Sequence, residues 1–545
     1  MKNIILLLTA LSVGLLSSCG DSFFDQENLY EKNSDNYYSN HTDVDEALIG
    51  AYSCMAIDEG GNHPTLLSNL LSDECFSGGG TNDIEVGATD KFTNPQEDLY
   101  KPIYNRCYEG IFILNSLLDN FDKAQYDDEA VQKNDLGQAH FLRAFLYFRL
   151  TKFFGEVPLD ISADLDYLTK ASADEIYAQI ASDLKIAIEN LGDGKYNSVA
   201  PGRITKWAAE ALMARVYLFY TGYYKKSSLP TVEGTDIAQA QVVSWLEDCI
   251  SNSGHKLLTH YESIWPFSIL GDGVNDKFNV DYRYSYGDSI KWAGNGCEET
   301  VFAIKYNNQA DWENTGRLSY SNQLVLFSSP RNVDYPPFGK GWGMASVNPQ
   351  LGTSFETGDS RYRSTILDFS SSTEPSGYSW GEGNFRDETG IYSKKYVDIQ
   401  GTDGKGIFYT MYGGTDSYQL WHMQDDILIR FSDVLLMAAE LGSNSQTYLD
   451  QVRARAGLAS VPYTIENLKK ERRHEFALEG IRWFDILRWG DAKDALEKAN
   501  GISVMTNGVN TTYKVTYNEK RVFLPLPESQ IRLSQGLLEQ NPGWQ

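Results

Sequence analysis

Between Asp135 and Phe154 the chain reads DLGQAHFLRAFLYFRLTKFF, with apolar side chains on nearly every face of a helix. A helix at a protein surface needs only one apolar stripe, so a segment that is greasy all round has to be enclosed by other elements. That one requirement calls for helical neighbours on several sides. Asp135 and Gln138 have the spacing of a capping box, which predicts a start for this helix, although it can begin earlier.

Candidate neighbours are present. Ser172 and Glu175 form an S-x-x-E box, after which Ile176, Ile180, Leu184, Ile188 and Leu191 make a one-sided stripe that Gly192 ends. In ITKWAAEALMARVYLFYTGYY, Ile204 to Tyr224, small Ala208, Ala211 and Ala214 alternate with bulky Trp207, Leu212 and Tyr217, a pattern that lets helices approach closely. Helix pairs packed this way are typical of tetratricopeptide-type units. No clean period of about 34 residues is visible, so the repeats are degenerate. Far downstream, ILIRFSDVLLMAAEL and TYLDQVRARAGL read as another helical hairpin, joined through Gly442-Ser443-Asn444-Ser445. A chain of 545 residues exceeds the usual size of one core. The expectation is two intimately packed lobes, or one large helical domain with an insert.

The insert, residues 259–424, has a different texture. Short apolar runs such as TVFAIKY (Thr300–Tyr306) interrupt stretches rich in Gly, Ser, Asn and aromatics, as in YRYSYGDSIKWAGNG and PPFGKGWGMASVNP. Six of the 11 tryptophans fall here, at 265, 292, 312, 342, 380 and 421, several flanked by turn formers. Such a ring either pins a loop to the body or is set out for contact.

Charge removes one class of partner. A formal net charge of −27, with no Lys/Arg-rich run to offset it, repels a phosphate backbone, so nucleic acid is not expected. The segment RRHEFALEGIRWFDILRWG, Arg472–Gly490, resembles a catalytic helix, but it lacks the second His that a zinc helix needs four residues on. Glu479 and Arg482 are three apart, as are Asp485 and Arg488, the spacing of neighbours on a helix face. With Phe476, Trp483, Phe484 and Leu487 supplying apolar surface, the segment reads as an architectural helix with partly buried ion pairs. No Gly-x-Ser-x-Gly elbow, phosphate loop or paired-His motif occurs elsewhere. A glycoside hydrolase using two carboxylates is the remote alternative.

The amino terminus, MKNIILLLTALSVGLLSSCG, has the charged-then-apolar layout of an export signal, and the run from Ile4 to Leu16 is short for a membrane span. Leu16-Ser17-Ser18-Cys19 resembles a bacterial lipobox, which makes Cys19 the expected lipidation site and residues 1–18 the signal peptide. Each buried CH₂ of an acyl chain contributes about 0.8 kcal/mol of membrane affinity. The other cysteines, at 54, 75, 107, 249 and 297, are odd in number, so at least one stays unpaired. None has the spacing of a C-x-x-C site, and no structural zinc is expected.

Several ordered motifs now resemble one family, the SusD/RagB starch-utilisation-type lipoproteins of Gram-negative outer membranes. SCGDSFFD looks like its lipobox and tether. FLRAFLYFRLTKFFGEVPL matches its R-A-x-x-Y helix and G-x-V-P-L exit at Gly155, Val157, Pro158 and Leu159. RFSDVLLMAAEL and VRARAGL resemble its R-x-x-D-x-x-L-x-x-A-E and V-R-x-R-A-G-L pair. RRHEFALEGIRWFDILRWG is similar to its R-R-x-E-x-x-x-E-G-x-R-x-x-D-x-x-R-W signature, and FLPLPESQ…QNPGW to its closing segment. Leu533-Ser534-Gln535-Gly536 departs from the Asn-Pro-Asn-like turn common there.

The resemblance implies a mainly α, SusD-like fold with degenerate tetratricopeptide-type helix pairs and a large loop-rich insert carrying short strands. It divides the chain into an N-terminal region, 19–255, and a C-terminal region, 256–545. The latter holds the ligand-facing loops 259–424, scaffold helices 425–500 and a closing segment 521–545. The implied protein is a non-catalytic, surface-exposed outer-membrane lipoprotein. It would bind oligosaccharides and deliver them to a SusC-like TonB-dependent transporter; a RagB-like peptide binder is the alternative. Sugars need aromatic planes with polar side chains around them. The candidate ligand-binding residues are Tyr286, Trp292, Trp312, Phe338 and Trp342 in the middle region. Phe76, Asn82, Asp83, Phe92 and Asn94 join them from the early loop, which in this family shares the ligand site. No cofactor is expected; bound calcium is left open, although DGVNDKFNVD near Asp272 lacks the spacing of a calcium loop.

Overall fold

The computed structural model describes residues 37–57, 61–94, 98–164, 169–271, 290–313, 320–331, 337–369 and 385–545. Six helices, α1 (His41–Ser53), α2 (Lys101–Asn120), α3 (Glu129–Phe154), α4 (Ala173–Asn190), α5 (Lys206–Tyr223) and α6 (Gln239–Asn252), pack each against the next. The all-round apolar segment is α3, which also touches α1 and α5. Phe141, Leu142, Phe145, Leu146, Tyr147, Phe148, Leu150, Phe153 and Phe154 are all buried on it. In α5 the small Ala208, Ala211 and Ala214 are buried beside Trp207 and Leu212.

The cap of α4 is the one its sequence announces: Glu175 N–H donates to Ser172 Oγ (3.3 Å) and Ser172 N–H to Glu175 Oε2 (2.8 Å). The start of α3 differs from the Asp135 box. Asp128 accepts from Ala130 N–H at 2.8 Å, two turns earlier. Asp135 instead lies buried within the helix, where it accepts from Tyr126 Oη and contacts His41 Nδ1 at 2.7 Å. The first turns are polar, so the apolar stripe says nothing about them.

A second group of helices, α7 (Phe431–Glu440), α8 (Ser445–Arg455), α9 (Ile465–Glu475) and α10 (Arg482–Trp489), completes this layer. α7 packs on α6 and α10 on α5. Two sequence expectations need correction here. The first residues of the ILIRFSDVLLMAAEL hairpin are a strand, Asp426–Arg430, and helix begins only at Phe431. The Arg472–Gly490 segment is not one helix but two, separated by a turn in which Leu478 (φ 65°) and Gly480 (φ 71°) are left-handed. A Cβ on Gly480 would lie 2.9 Å from Thr65 Cα, so glycine is required twice over. The turn sends Glu479 away from Arg482, which pairs with Asp73 (2.7 Å) instead. Asp485 and Arg488 do pair, at 2.9 Å.

The remaining layer is loop-rich. Its strands form two-stranded antiparallel ribbons: β1 (Cys75–Ser77) with β3 (Ala345–Val347), β2 (Thr300–Ile304) with β6 (Asp426–Arg430), β4 (Ile366–Asp368) with β5 (Ile391–Ser393), and β7 (Ser503–Thr506) with β8 (Val509–Thr512). A second apolar core, including Leu66, Trp265, Phe327, Phe338 and Tyr396, takes in residues of the β1–β3 and β4–β5 ribbons, while Val301, Phe302 and Ile304 of β2 and Val504 of β7 join the helical core. Both cores draw on early and late parts of the chain.

Where the layers meet, buried charges form a network. Arg430 binds Glu299 (2.7 Å), Glu475 (2.8 Å) and Glu479 (2.8 Å). Arg361 binds Asp359, Glu471 and Glu475, Arg455 binds Glu299 and Glu475, and Lys395 binds Glu479 at 2.7 Å. Burial opposes the charge on Glu475, but Arg455, Arg430 and Arg361 around it hold its carboxyl well below the usual range. Burial lowers Lys395 to about 8. The five described cysteines are all buried and unpaired. No helix among the described residues is long and apolar enough to cross a membrane.

Candidate functional site

The candidates fall into two groups and a buried remainder. The first group gathers on the turn after β1. Gly78 N–H donates to Met344 O (3.0 Å) and Gly79 N–H to Gly343 O (2.6 Å), which fastens the turn to the segment entering β3. Asp83 closes it by accepting from Gly80 N–H (2.6 Å) and Arg331 Nη1 (3.3 Å). Arg331 Nη1 also donates to Trp342 O (3.1 Å), and Arg386 donates to Thr81 O and Asp83 O. Asn82 is exposed, and Trp342 is partly exposed with its ring 5.5 Å from Phe327. Asn94, also exposed, borders two clefts of about 340 and 310 Å³. Trp544 and Arg532 line one; Lys91 and Arg386 line the other.

The second group surrounds a short helix, Ile407–Tyr412. Trp312 is 45 % and Tyr412 50 % exposed, high values for such large rings. Their loops are tied together, since Asn308 Nδ2 donates to Tyr412 O (2.8 Å) and Thr415 Oγ1 to Ala310 O (2.6 Å). Trp292 stands edge-on to Phe408 at 5.5 Å, and Phe408 lies near-parallel to Tyr412 at 6.3 Å. Polar groups border these rings. Lys405 pairs with Asp416 and lies 5.2 Å from the Tyr409 ring, Gln419 Nε2 donates to Tyr418 Oη (2.9 Å), and Lys340 sits 4.9 Å from the Tyr418 ring. The hydrogen bond to Asp416 raises the Lys405 pKa and keeps it charged.

Residues 337–344 connect the groups: Gly341 bridges to Arg331 at one end, while Phe338 bridges to Ile399, whose neighbour Gln400 bridges to Gly406. The result is a ledge of aromatic surfaces bordered by amide, ammonium and carboxylate groups. It suits a ligand with apolar faces and a hydroxylated rim.

Three candidates belong to the core instead. Phe76 is buried and stacked on Tyr513 at 3.8 Å, Phe92 is buried against Trp483 at 5.7 Å, and Phe338 is fully buried. None offers a ring face to a ligand; a phenylalanine among turn formers has no polar tip to hold at the surface, so burial wins. Tyr286 and Cys19 lie outside the described residues. Tyr409, Tyr412 and Tyr418 went unnoticed in sequence, although IFYTMYGGTDSYQLW carries them close together before and after a Gly-Gly pair.

Comparison with known proteins places this architecture. The model of the SusD family matches residues 262–544, and one described as starch-binding associating with outer membrane matches 22–218. SusD-like protein P2 of Formosa agariphila is 22 % identical over 94 % of both chains. A SusD-like protein of Bacteroides ovatus is 21 % identical over 89 % of this chain and 82 % of its own. Among solved structures, a laminarin-binding SusD-like protein superposes with a TM-score of 0.73 at 26 % identity, covering 93 % of this chain and 100 % of that one. Surface glycan-binding protein A from Bacteroides thetaiotaomicron, in complex with laminarihexaose, gives 0.71 at 20 % identity over 91 % and 98 %, a likeness of fold. The two solved structures are named as binding proteins. With the helical layer, the loop-rich layer and a family match across more than half of its length, the chain belongs to the SusD family.

Proposed function

We propose that this chain is a non-catalytic, cell-surface glycan-binding protein, held at the outer membrane by acylation of Cys19. In this reading it captures oligosaccharides and passes them to a SusC-like TonB-dependent transporter for import. The observation that carries the binding role is the pair of exposed rings, Trp312 and Tyr412, on loops hydrogen-bonded to each other. Exposed rings gathered on one surface and rimmed by polar groups are the mark of an interaction site, which a single exposed ring is not. Trp292, Trp342, Asn82 and Asn94 extend the same surface as secondary contacts.

The test is retention of the purified body, without its first 19 residues, in gels containing a panel of polysaccharides, with laminarin first because of the named neighbour. Binding to at least one glycan is expected. Trp312→Ala combined with Tyr412→Ala should weaken it at least about tenfold, or ~1.4 kcal/mol, at an unchanged Tm. Retention by peptide mixtures alone, or a variant that binds as well as the parent, defeats the proposal.

A further inference from the structure

Lys152, in the last turn of α3, holds its ammonium 4.7 Å from the Phe148 ring and 4.3 Å from the Phe484 ring. Among the described residues it has no acidic partner and no hydrogen-bond acceptor. Arg215, facing it from α5, gives Nε to Asp433 Oδ2 (2.7 Å), but its Nη2 is buried without a partner. Arg149, one turn before Lys152, donates to Met55 O (2.7 Å) and forms no ion pair among the described residues.

The carboxylates nearby are already engaged. Glu479 is held by Arg430 and Lys395, Asp433 by Arg215 and Arg472, and Asp485 by Arg472 and Arg488. Two cavities of about 60 and 50 Å³ meet at this point and share Phe148, Lys152, Arg215, Gly480, Ile481 and Phe484 as walls. A water needs roughly 10–15 Å³ of such space, so there is room for a small ion.

A buried guanidinium N–H without a partner, as at Arg215 Nη2, is expensive, while Lys152 beside it is only partly buried. Burial first, and then Arg215 and Arg149, push the Lys152 pKa well below its ordinary value, so an anion beside the ammonium would favour its charged form. Besides the cations, the walls hold Glu479 in one cavity and Asp485 in the other, both already paired to arginine, and are otherwise mainly aromatic and aliphatic, which offers few groups to a large or heavily hydrated ion. We propose that this cavity binds a small monoanion of halide size between Lys152 Nζ and Arg215 Nη2. The ion accepts from Arg215 Nη2, holds Lys152 in its charged form and joins α3 and α5 to the Glu479–Ile481 turn. This site is independent of the glycan ledge.

Bromide is the probe. In crystals of the protein grown with sodium bromide, an anomalous peak is expected within hydrogen-bond reach of Lys152 and Arg215. In solution, replacing gluconate by bromide at constant ionic strength should raise Tm by about 1–2 °C, and Lys152→Met should abolish that rise. The crystallographic arm needs no variant, so it stands if Lys152→Met fails to fold. An empty cavity in the bromide crystals, or an equal bromide response in parent and variant, overturns the proposal.

Discussion

In the helical layer each helix satisfies its own backbone, so α3 is free to bury phenylalanines on every face. The loop-rich layer has no such economy. There Asn322 Nδ2 donates to Gln424 O, Gln424 Nε2 to Lys395 O, Asn348 Nδ2 to Asp73 O and Gln323 Nε2 to Gln419 O. Buried irregular backbone has to find partners, and buried amide side chains supply them. The difference teaches where each layer is vulnerable. A helix pair tolerates changes that conserve volume, whereas the loop layer depends on particular polar atoms and on the ion network at the seam.

The largest effect is expected at the seam itself. Arg430→Ala leaves Glu299, Glu475 and Glu479 buried without their shared cation, and should cost about 3–5 kcal/mol. Chemical denaturation would measure it; a loss below 1 kcal/mol would mean the layers do not depend on the network.

Next comes close packing in the loop layer. A Cβ on Gly406 would fall 2.6 Å from Trp421 Nε1, whose N–H donates to Asp398 (3.0 Å). Gly406→Ala should destabilise by about 1–3 kcal/mol and also weaken glycan binding, because Gly406 is the N-cap of the Ile407–Tyr412 helix. Unchanged stability together with unchanged binding would break the claimed link between packing and ledge.

The smallest effect is one of pH. Burial lowers the His422 pKa to about 3, and its Nε2 has no hydrogen-bond partner. As pH falls below the unfolded value of about 6.5, the unfolded chain takes up a proton that the folded ring refuses, so stability begins to be lost there, by less than ~1 kcal/mol at pH 6. Burial raises Glu74 and Asp426 to about 7, and they titrate in the opposite sense. The comparison is therefore between parent and His422→Gln: the variant's Tm should fall less steeply below pH 6.5. Parallel profiles would remove His422 from the account.

What could be read in the sequence follows the same division. The Ser172–Glu175 cap, the α4 stripe and the small-and-large alternation of α5 are local, and each is present. The strand Asp426–Arg430 was not distinguishable, because a short apolar run has no period long enough to separate strand from helix. The break at Leu478–Gly480 was hidden by charges that continue at helical spacing. Among the candidate residues, the exposure of Trp312 and Asn82 was legible from their polar neighbours. Exposure of Phe76, Phe92 and Phe338 was not, since it depends on Tyr513, Trp483 and a core assembled from distant segments.

The cross-links Asn308 to Tyr412 and Thr415 to Ala310 have a thermodynamic meaning beyond geometry. In the proposed reading, two surface loops that brace each other surrender their freedom during folding and not at the moment of capture. An arriving chain then has only its own motion to lose, and a shallow shelf can retain a flexible guest without first closing around it.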